Sequence, residues 1–183
     1  MSTDILERNI ETMTGKAGKY LTFTLANQEY GVEIIKVKEI IRAMEVTAVP
    51  QTPDYVEGVI NLRGKIIPVI NLRVKFGMEN RENTDRTCII VVEIGGRSGT
   101  IPMGMVVDSV SEVLNISLEE MEATPNFGVK LDTEYIMGMA KTRGKVIILL
   151  AIDQVLNSDG MMLIESLRSA RGESGSDLGR GEE

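Results

Sequence analysis

Two segments of the chain repeat the same pattern of turn glycines and charged residues. Residues 56–67 (VEGVINLRGKII) align with residues 136–147 (IMGMAKTRGKVI) at a constant offset of 80 (136 − 56), and the tripeptide Arg-Gly-Lys falls at the same place in both. Each tripeptide separates two apolar runs, and its glycine suits a turn with positive φ, so each segment predicts a tight β-hairpin. Chance similarity between two hairpins is the alternative, but the matches fall on turn glycines and charges, which favours a duplication.

A second alignment lies upstream of the first. Residues 31–41 (GVEIIKVKEII) align with residues 104–114 (GMVVDSVSEVL) at an offset of 73 (104 − 31). One loop insertion of seven residues (80 − 73) accounts for the change of offset. A period of about 75–80 residues is too long for a solenoid repeat and suits two copies of a small β-barrel.

Short strands separated by turns account for most of the chain. Residues 20–26 (YLTFTLA) alternate apolar and polar side chains with a period of two, which is typical of a half-buried strand. Residues 95–100 (GGRSGT) lack the spacing of a phosphate-binding loop and are predicted to form a hairpin turn. Ser117 and Glu120 form a capping-box pattern for a short helix, and Pro68 predicts an edge position or a bulge.

The composition excludes several classes of chemistry. The chain has no histidine, which removes the commonest general base near neutral pH, the commonest zinc ligand and the Ser-His-Asp arrangement. A net charge of -7 with 4% aromatic residues argues against binding to nucleic acid. A run of about 18 apolar residues, as needed to span a membrane, is absent. We therefore expect a cytoplasmic protein with no catalytic residues, no metal site and no cofactor.

Several stretches, taken in their order and spacing, resemble the CheW family of bacterial chemotaxis coupling proteins. The resemblance covers about residues 18–165, which is most of the chain. The stretches that carry it are 31–40 (GVEIIKVKEI), 56–73 (VEGVINLRGKIIPVINLR), 103–114 (MGMVVDSVSEVL), the TEYxxG stretch at 133–138, and Val155-Leu156-Asn157, where the family has LLN.

The resemblance implies a mainly β fold of two five-stranded SH3-like β-barrels packed on a shared hydrophobic interface, with short helices. We expect the CheW-like domain at residues 19–156, with a first barrel at 19–80, a second at 86–156, and strand exchange between them possible. The flanking segments are expected to be a flexible leader (1–18), a C-terminal helix (157–170) and a disordered tail (171–183).

The resemblance also implies an adaptor function without enzymatic activity. Such a protein couples the cytoplasmic tips of chemoreceptors to the histidine kinase CheA, whose regulatory domain is itself CheW-like. It is recruited to membrane-associated receptor arrays without inserting into the membrane. Two alternatives stay open: a CheW-like adaptor of another receptor-kinase array, and a small-barrel ligand-binding protein. The second requires polar groups that converge in a pocket, and the sequence shows no such set.

The resemblance, transferred position by position, implies a receptor-binding groove. A helical receptor tip would lay its apolar face against Ile34, Val37 and Val113. Glu39 and Arg63 are expected to form an ion pair that orients the rim. The alternatives are a surface salt bridge worth about 0–1 kcal/mol and, for Val37, plain core packing. No kinase-binding residue is predicted. The complete receptor-binding set is Ile34, Val37, Glu39, Gly58, Arg63, Gly104 and Val113.

Overall fold

The computed structural model describes three stretches of the chain, residues 17–96, 99–122 and 135–156. The predicted C-terminal helix at 157–170 and the tail at 171–183 lie outside the described residues, as does the predicted leader up to residue 16.

The described residues are mainly β, as predicted. The helical structure of the described residues comprises 3-10 turns at Ile34–Lys36 and Leu118–Glu120, the four-residue helix α1 (Leu72–Lys75), residues 152–156 and the single 3-10 residue Tyr135. The strands are β1 (Gly18–Leu25), β2 (Gln28–Glu33), β3 (Val37–Arg42), β4 (Val56–Leu62), β5 (Lys65–Asn71), β6 (Cys88–Gly96), β7 (Gly99–Val107), β8 (Ser109–Ile116), β9 (Met121–Glu122), β10 (Ile136–Thr142) and β11 (Lys145–Leu150).

The strands form two sheets, each drawn from both halves of the chain. Sheet A has the order β8-β1-β2-β11-β10-β9, and sheet B has the order β3-β6-β7-β5-β4. Neither sheet is confined to residues 19–80 or 86–156, because the β1–β2 and β6–β7 hairpins are exchanged between the halves. Sheet A exceeds the expected five strands by β9, whose counterpart in sheet B is the single bridge between Thr47 and Val59.

The internal duplication is present in the strand pairing. β5 pairs in parallel with β7, where Val69 lies opposite Gly104, and β11 pairs in parallel with β2, where Leu149 lies opposite Gly31. Val69 and Leu149 are repeat equivalents at an offset of 80 (149 − 69), and Gly31 and Gly104 are equivalents at an offset of 73 (104 − 31). The two pairings are therefore the same pairing in the two repeats. A Cβ atom on Gly31 would lie 2.9 Å from Leu149 Cδ2, and one on Gly104 would lie 2.8 Å from Ile89 Cγ2. Glycine therefore gives the neighbouring side chains room in both repeats.

Both faces of strand β6 are buried. Ile90 and Val92 belong to a core cluster shared by the two sheets, whereas Ile89 and Val91 belong to a smaller cluster within sheet B. Burial on both faces explains why this strand is a continuous branched apolar run instead of an alternating one. Each fully buried Val or Ile side chain contributes about 1.5–3 kcal/mol. The shared cluster therefore joins the two sheets into one hydrophobic core.

Local turn chemistry is confirmed, and Pro68 lies on an inner strand but at a local edge, just before the β5–β7 pairing begins. The β6–β7 pairing continues to Gly96 and Gly99, and the backbone N–H of Ser117 donates to Glu120 Oε1 at 3.1 Å in the capping box. Strand β5 is an inner strand with regular register at Pro68. Pro68 lies opposite Val59, whose backbone groups both bond to Thr47, so the Pro68 backbone faces β7, and the pairing of β5 with β7 begins one residue later, at Val69.

The two crossovers between the sheets each carry an ion pair. The chain passes from sheet A to sheet B at Ile34–Lys36, where Lys36 Nζ lies 2.8 Å from Asp153 Oδ2. It returns at Asp108, whose carboxylate accepts hydrogen bonds from Arg73 Nε and Nη2 at 2.7 and 2.8 Å. The Asp108 and Arg73 side chains are only 18% and 14% exposed. This bidentate, largely buried pair fastens the second crossover to helix α1.

The environment of Asp108 favours its charged form. Burial by itself raises the pKa of this carboxyl group, but hydrogen bonds from Arg73 and from the Ala26 amide, with the charges of Arg73 and Arg81, outweigh burial and hold the pKa below its ordinary value of 3.8. A carboxylate whose pKa is lower in the folded chain contributes stability above its unfolded pKa. That contribution is lost as the pH falls through the folded pKa.

We expect Asp108→Asn to lower the free energy of unfolding by about 2–3 kcal/mol at pH 7, because Arg73 loses its charged partner. The difference from wild type should begin to shrink as the pH falls below about 4, where the carboxyl group of the unfolded chain becomes protonated, and should disappear as the pH falls through the lower folded pKa. Urea denaturation at pH 7 and near pH 3 measures both effects. Glu122→Gln is the control, because Glu122 pairs with Lys141 on an exposed surface and should contribute about 0–1 kcal/mol. Equal losses in the two variants would contradict the assignment.

Candidate functional site

The β4–β5 hairpin turn carries an arginine in the left-handed region. Leu62 pairs with Lys65, and the two residues between them, Arg63 and Gly64, have φ angles of 54° and 86°. Two consecutive positive φ angles define a type I′ turn, whose twist matches that of the flanking strands. A non-glycine residue in this conformation costs about 1–2 kcal/mol. Arg63 therefore occupies a place where glycine would be less strained.

Arg63 connects opposite ends of sheet B. Its Nη2 donates to Glu39 Oε1 at 2.5 Å, so the predicted ion pair is present. Glu39 lies on β3, the first strand of the sheet, and the Arg63 turn follows β4, the last. Arg63 is 76% exposed and Glu39 only 24%. The pair contributes little to stability at that exposure, but the solvent-facing guanidinium has further N–H donors for a carboxylate or carbonyl group.

Ile34 and Val37 lie next to this pair along the chain and are partly buried. Both pack against the hydrophobic cluster shared by the two sheets. A β-bulge between Val37 and Glu39, opposite β6, leaves Lys38 without a paired residue at the start of β3. The contact of Val37 with the shared core supports the core-packing interpretation of this residue. Its exposed part is the only part that a partner could contact.

Gly58 and Gly104 are buried and act through their backbone. Gly58 has a φ of +140°, and a Cβ atom there would lie 1.9 Å from the carbonyl oxygen of Thr47. Gly104 lies in the parallel pairing of β7 with β5, beneath the side chains of Ile89 and Val69. The structure thus separates these two residues from the exposed members of the predicted set.

Val113 is exposed but lies on the other sheet. It belongs to β8, at the margin of sheet A, where it pairs with Leu21, and half of its side chain is exposed. Glu39 and Arg63 belong to sheet B. The structure therefore brings Glu39 and Arg63 into contact, packs Ile34 and Val37 on one core, and leaves Val113 on a separate strand margin.

A second Arg–Glu pair was missed by the sequence analysis. Arg143 Nη1 lies 3.5 Å from Glu112 Oε1, and these residues are the repeat equivalents of Arg63 and Glu39 at offsets of 80 and 73. Arg143 also has a positive φ, of 51°. The alignment had already matched both residues, so the duplication could have predicted this pair.

Exposed aliphatic side chains follow the same repeat. Val113 is the equivalent of Ile40, and Ile66 is the equivalent of Val146, and all four are exposed. Ile35, in the first crossover, is 83% exposed. The sequence alone does not show which of the adjacent residues Ile40 and Ile41 is exposed; Ile41 is partly buried and packs against the smaller cluster of sheet B.

The described residues do not form an evident small-molecule or metal site. Within residues 17–96, 99–122 and 135–156, no group of three or more His, Cys, Asp or Glu side chains is placed to hold a metal ion. A cavity lined by Asn71, Arg73 and Asp108 has a volume of about 20 Å³, room for one water molecule. In the same described stretches, no helix is long and apolar enough to cross a bilayer.

The fold and the family comparison agree. Two duplicated β subdomains of the SH3-like kind share one core, and the candidate site is an exposed surface at a sheet margin. The family model described as CheW-like domain matches residues 19–160. The chain therefore belongs to the CheW family of chemotaxis proteins.

Individual relatives support the same family. The chain is 41% identical over 149 residues to the chemotaxis protein CheW of Klebsiella aerogenes, covering 81% of this chain and 87% of that protein. It is 32% identical to CheW of Rhizobium meliloti, covering 80% and 92%. The solved structure of the scaffolding protein TtCheW from Thermoanaerobacter tengcongensis matches with a TM-score of 0.69 at 38% identity, covering 76% and 92%.

We expect Gly58→Ala to lower the free energy of unfolding by about 2–3 kcal/mol, because alanine disfavours the φ of Gly58 and its Cβ would clash with Thr47. Gly138→Ala is the matched control at the equivalent position of the other repeat. Its Cβ would lie 3.2 Å from the Glu122 carbonyl oxygen, and a loss of about 1 kcal/mol or less is expected. Urea denaturation measures both, and equal losses would contradict the backbone role of Gly58.

Proposed function

We propose that this chain couples the cytoplasmic tips of chemoreceptors to the histidine kinase CheA. Membership of the CheW family over residues 19–160 supports this proposal. The related TtCheW is a scaffolding protein, which is consistent with a role in binding. In the proposed function the chain works in the cytoplasm at membrane-associated receptor arrays. It performs no catalysis, binds no nucleic acid and does not insert into the membrane.

The Glu39–Arg63 pair is the observation that best supports binding to a receptor. Glu39 is mostly buried and anchors one end of the guanidinium, while Arg63 stays largely in solvent. The remaining N–H donors are available to acceptor groups on a receptor tip. A helical tip would place its apolar face on the exposed parts of Ile34 and Val37, and would reach Val113 by extending onto the margin of sheet A. Gly58 and Gly104 support this surface from beneath, through the backbone packing of sheet B.

Binding to the kinase is inferred from family membership, and no residue is assigned to it. The regulatory domain of CheA, itself CheW-like, is the expected partner. Because its contacts are unassigned, this half of the function is tested with the whole regulatory domain. We expect wild-type protein to bind that domain and a receptor cytoplasmic fragment at micromolar concentrations in separate titrations. Binding to neither partner would contradict the proposed function.

We expect Arg63→Glu to weaken binding to a receptor cytoplasmic fragment by about tenfold or more, which is about 1.4 kcal/mol. The substitution places a carboxylate beside Glu39 and removes the outward guanidinium donors. Thermal stability should change little, because an exposed ion pair contributes about 0–1 kcal/mol. Isothermal titration and a thermal melt measure the two quantities.

Arg143→Glu is the control for the charge change. Arg143 lies in the equivalent turn of the other repeat and also pairs with a glutamate. Its variant should bind the receptor fragment as wild type does. Native stability with wild-type affinity in the Arg63→Glu variant would contradict the receptor role of Arg63. Equal weakening by both variants would point to overall charge as the cause.

A further inference from the structure

The two repeat-related hairpin turns differ at one side chain. In the β4–β5 turn, Asn61 Oδ1 accepts a hydrogen bond from the backbone N–H of Gly64 at 2.9 Å. The equivalent position in the β10–β11 turn is Lys141, at an offset of 80 (141 − 61). A lysine side chain has donors only and cannot accept this hydrogen bond. Lys141 instead pairs with Glu122 on β9, at 3.1 Å.

The backbone conformations of the two turns are nearly the same. Arg63 and Gly64 have φ angles of 54° and 86°, and Arg143 and Gly144 have 51° and 74°. The ion pairs nevertheless differ. Arg63 lies 2.5 Å from a glutamate that is 24% exposed, whereas Arg143 lies 3.5 Å from a glutamate that is 52% exposed. The tighter pair occurs where an asparagine caps the turn.

We propose that Asn61 is a positioning residue, which limits the motion of the Arg63 turn and so keeps the guanidinium directed toward Glu39. The hydrogen bond from Gly64 to Asn61 spans the arginine that must keep a positive φ. The Arg143 turn adopts the same backbone conformation without such an acceptor, so the hydrogen bond is expected to reduce excursions from this conformation, during which Arg63 can leave Glu39. The functional consequence rests on the proposed receptor role of this surface.

The orientation of the guanidinium also defines what the receptor partner must supply. A guanidinium fixed at one edge by Glu39 presents its remaining donors in one plane, which suits a carboxylate or a pair of carbonyl oxygens. If the turn samples other conformations, the apparent affinity falls with the fraction of molecules in the binding-competent one. Asn61 thus affects affinity without contacting the partner.

Asn61→Ala tests the positioning role directly. We expect the affinity for a receptor cytoplasmic fragment to fall by about three- to tenfold, because the competent fraction falls. Asn61→Asp keeps an acceptor for the Gly64 amide and should bind within about twofold of wild type. Lys141→Ala is the matched control in the other turn and should not change the affinity. Equal loss in the alanine and aspartate variants at position 61 would overturn the inference.

A readout in the unbound protein separates this inference from the proposed function. In Asn61→Ala, the heteronuclear NOE of the Arg63 Nε–Hε group should decrease and the Gly64 amide should exchange faster, with an unchanged melting temperature. An Arg63 side chain as ordered as in wild type would overturn the positioning role. If Arg63→Ala leaves receptor affinity unchanged, the receptor role fails instead, and the NOE still decides whether Asn61 orders the turn.

Discussion

The parallel pairing of β5 with β7, and the equivalent pairing of β2 with β11 in the other repeat, determine which strands become neighbours in both sheets. Each pairing attaches a hairpin from one half of the chain to a sheet from the other half. Glu39 and Arg63 lie at opposite ends of sheet B, and the strands between them include β6 and β7 from the second half. The candidate site is therefore a product of long-range pairing, although its two residues are close in sequence. The buried glycines at 31 and 104 are part of the same constraint, because larger side chains would disturb both pairings.

Features set by neighbouring residues could be predicted from the sequence. The type I′ turns at Arg63-Gly64 and Arg143-Gly144 follow from glycine chemistry over two residues, and the Ser117–Glu120 capping box follows from its spacing. The duplication could be predicted because it preserves those local signals. The sequence did not show whether the strands are exchanged, because a run such as CIIVV fits any strand with both faces buried. The inner strand around Pro68 could not be predicted for the same reason: whether such a strand needs an amide at one residue depends on where its pairing with the neighbouring strand begins.

The site was only partly predictable, because some of its features depend on long-range strand pairing. The Glu39–Arg63 contact followed from the resemblance, and the structure contains it. The burial of Gly58 could not be predicted, because it arises from the approach of Thr47 across an isolated bridge. Val113 shares an exposed position with Ile40 in the repeat but lies on the other sheet. A resemblance transfers positions along the chain, whereas a binding surface depends on which strands become neighbours.

The ion pairs at the two crossovers explain how one strand arrangement is favoured over its alternative. Arg73 and Asp153 are repeat equivalents at an offset of 80 but carry opposite charges, and their partners are Asp108 and Lys36. Without strand exchange, β5 would pair with β2 and β11 with β7, since the repeated strands have equivalent pairing partners. Arg73 would then lie near Lys36, and Asp153 near Asp108, so like charges would meet just after β2 and just after β7. A partly buried like-charge pair is unfavourable, and an opposite-charge pair with bidentate geometry is favourable. Because Arg73 and Asp153 have opposite charges, and Lys36 and Asp108 also have opposite charges, electrostatics distinguish two topologies that the apolar patterns do not.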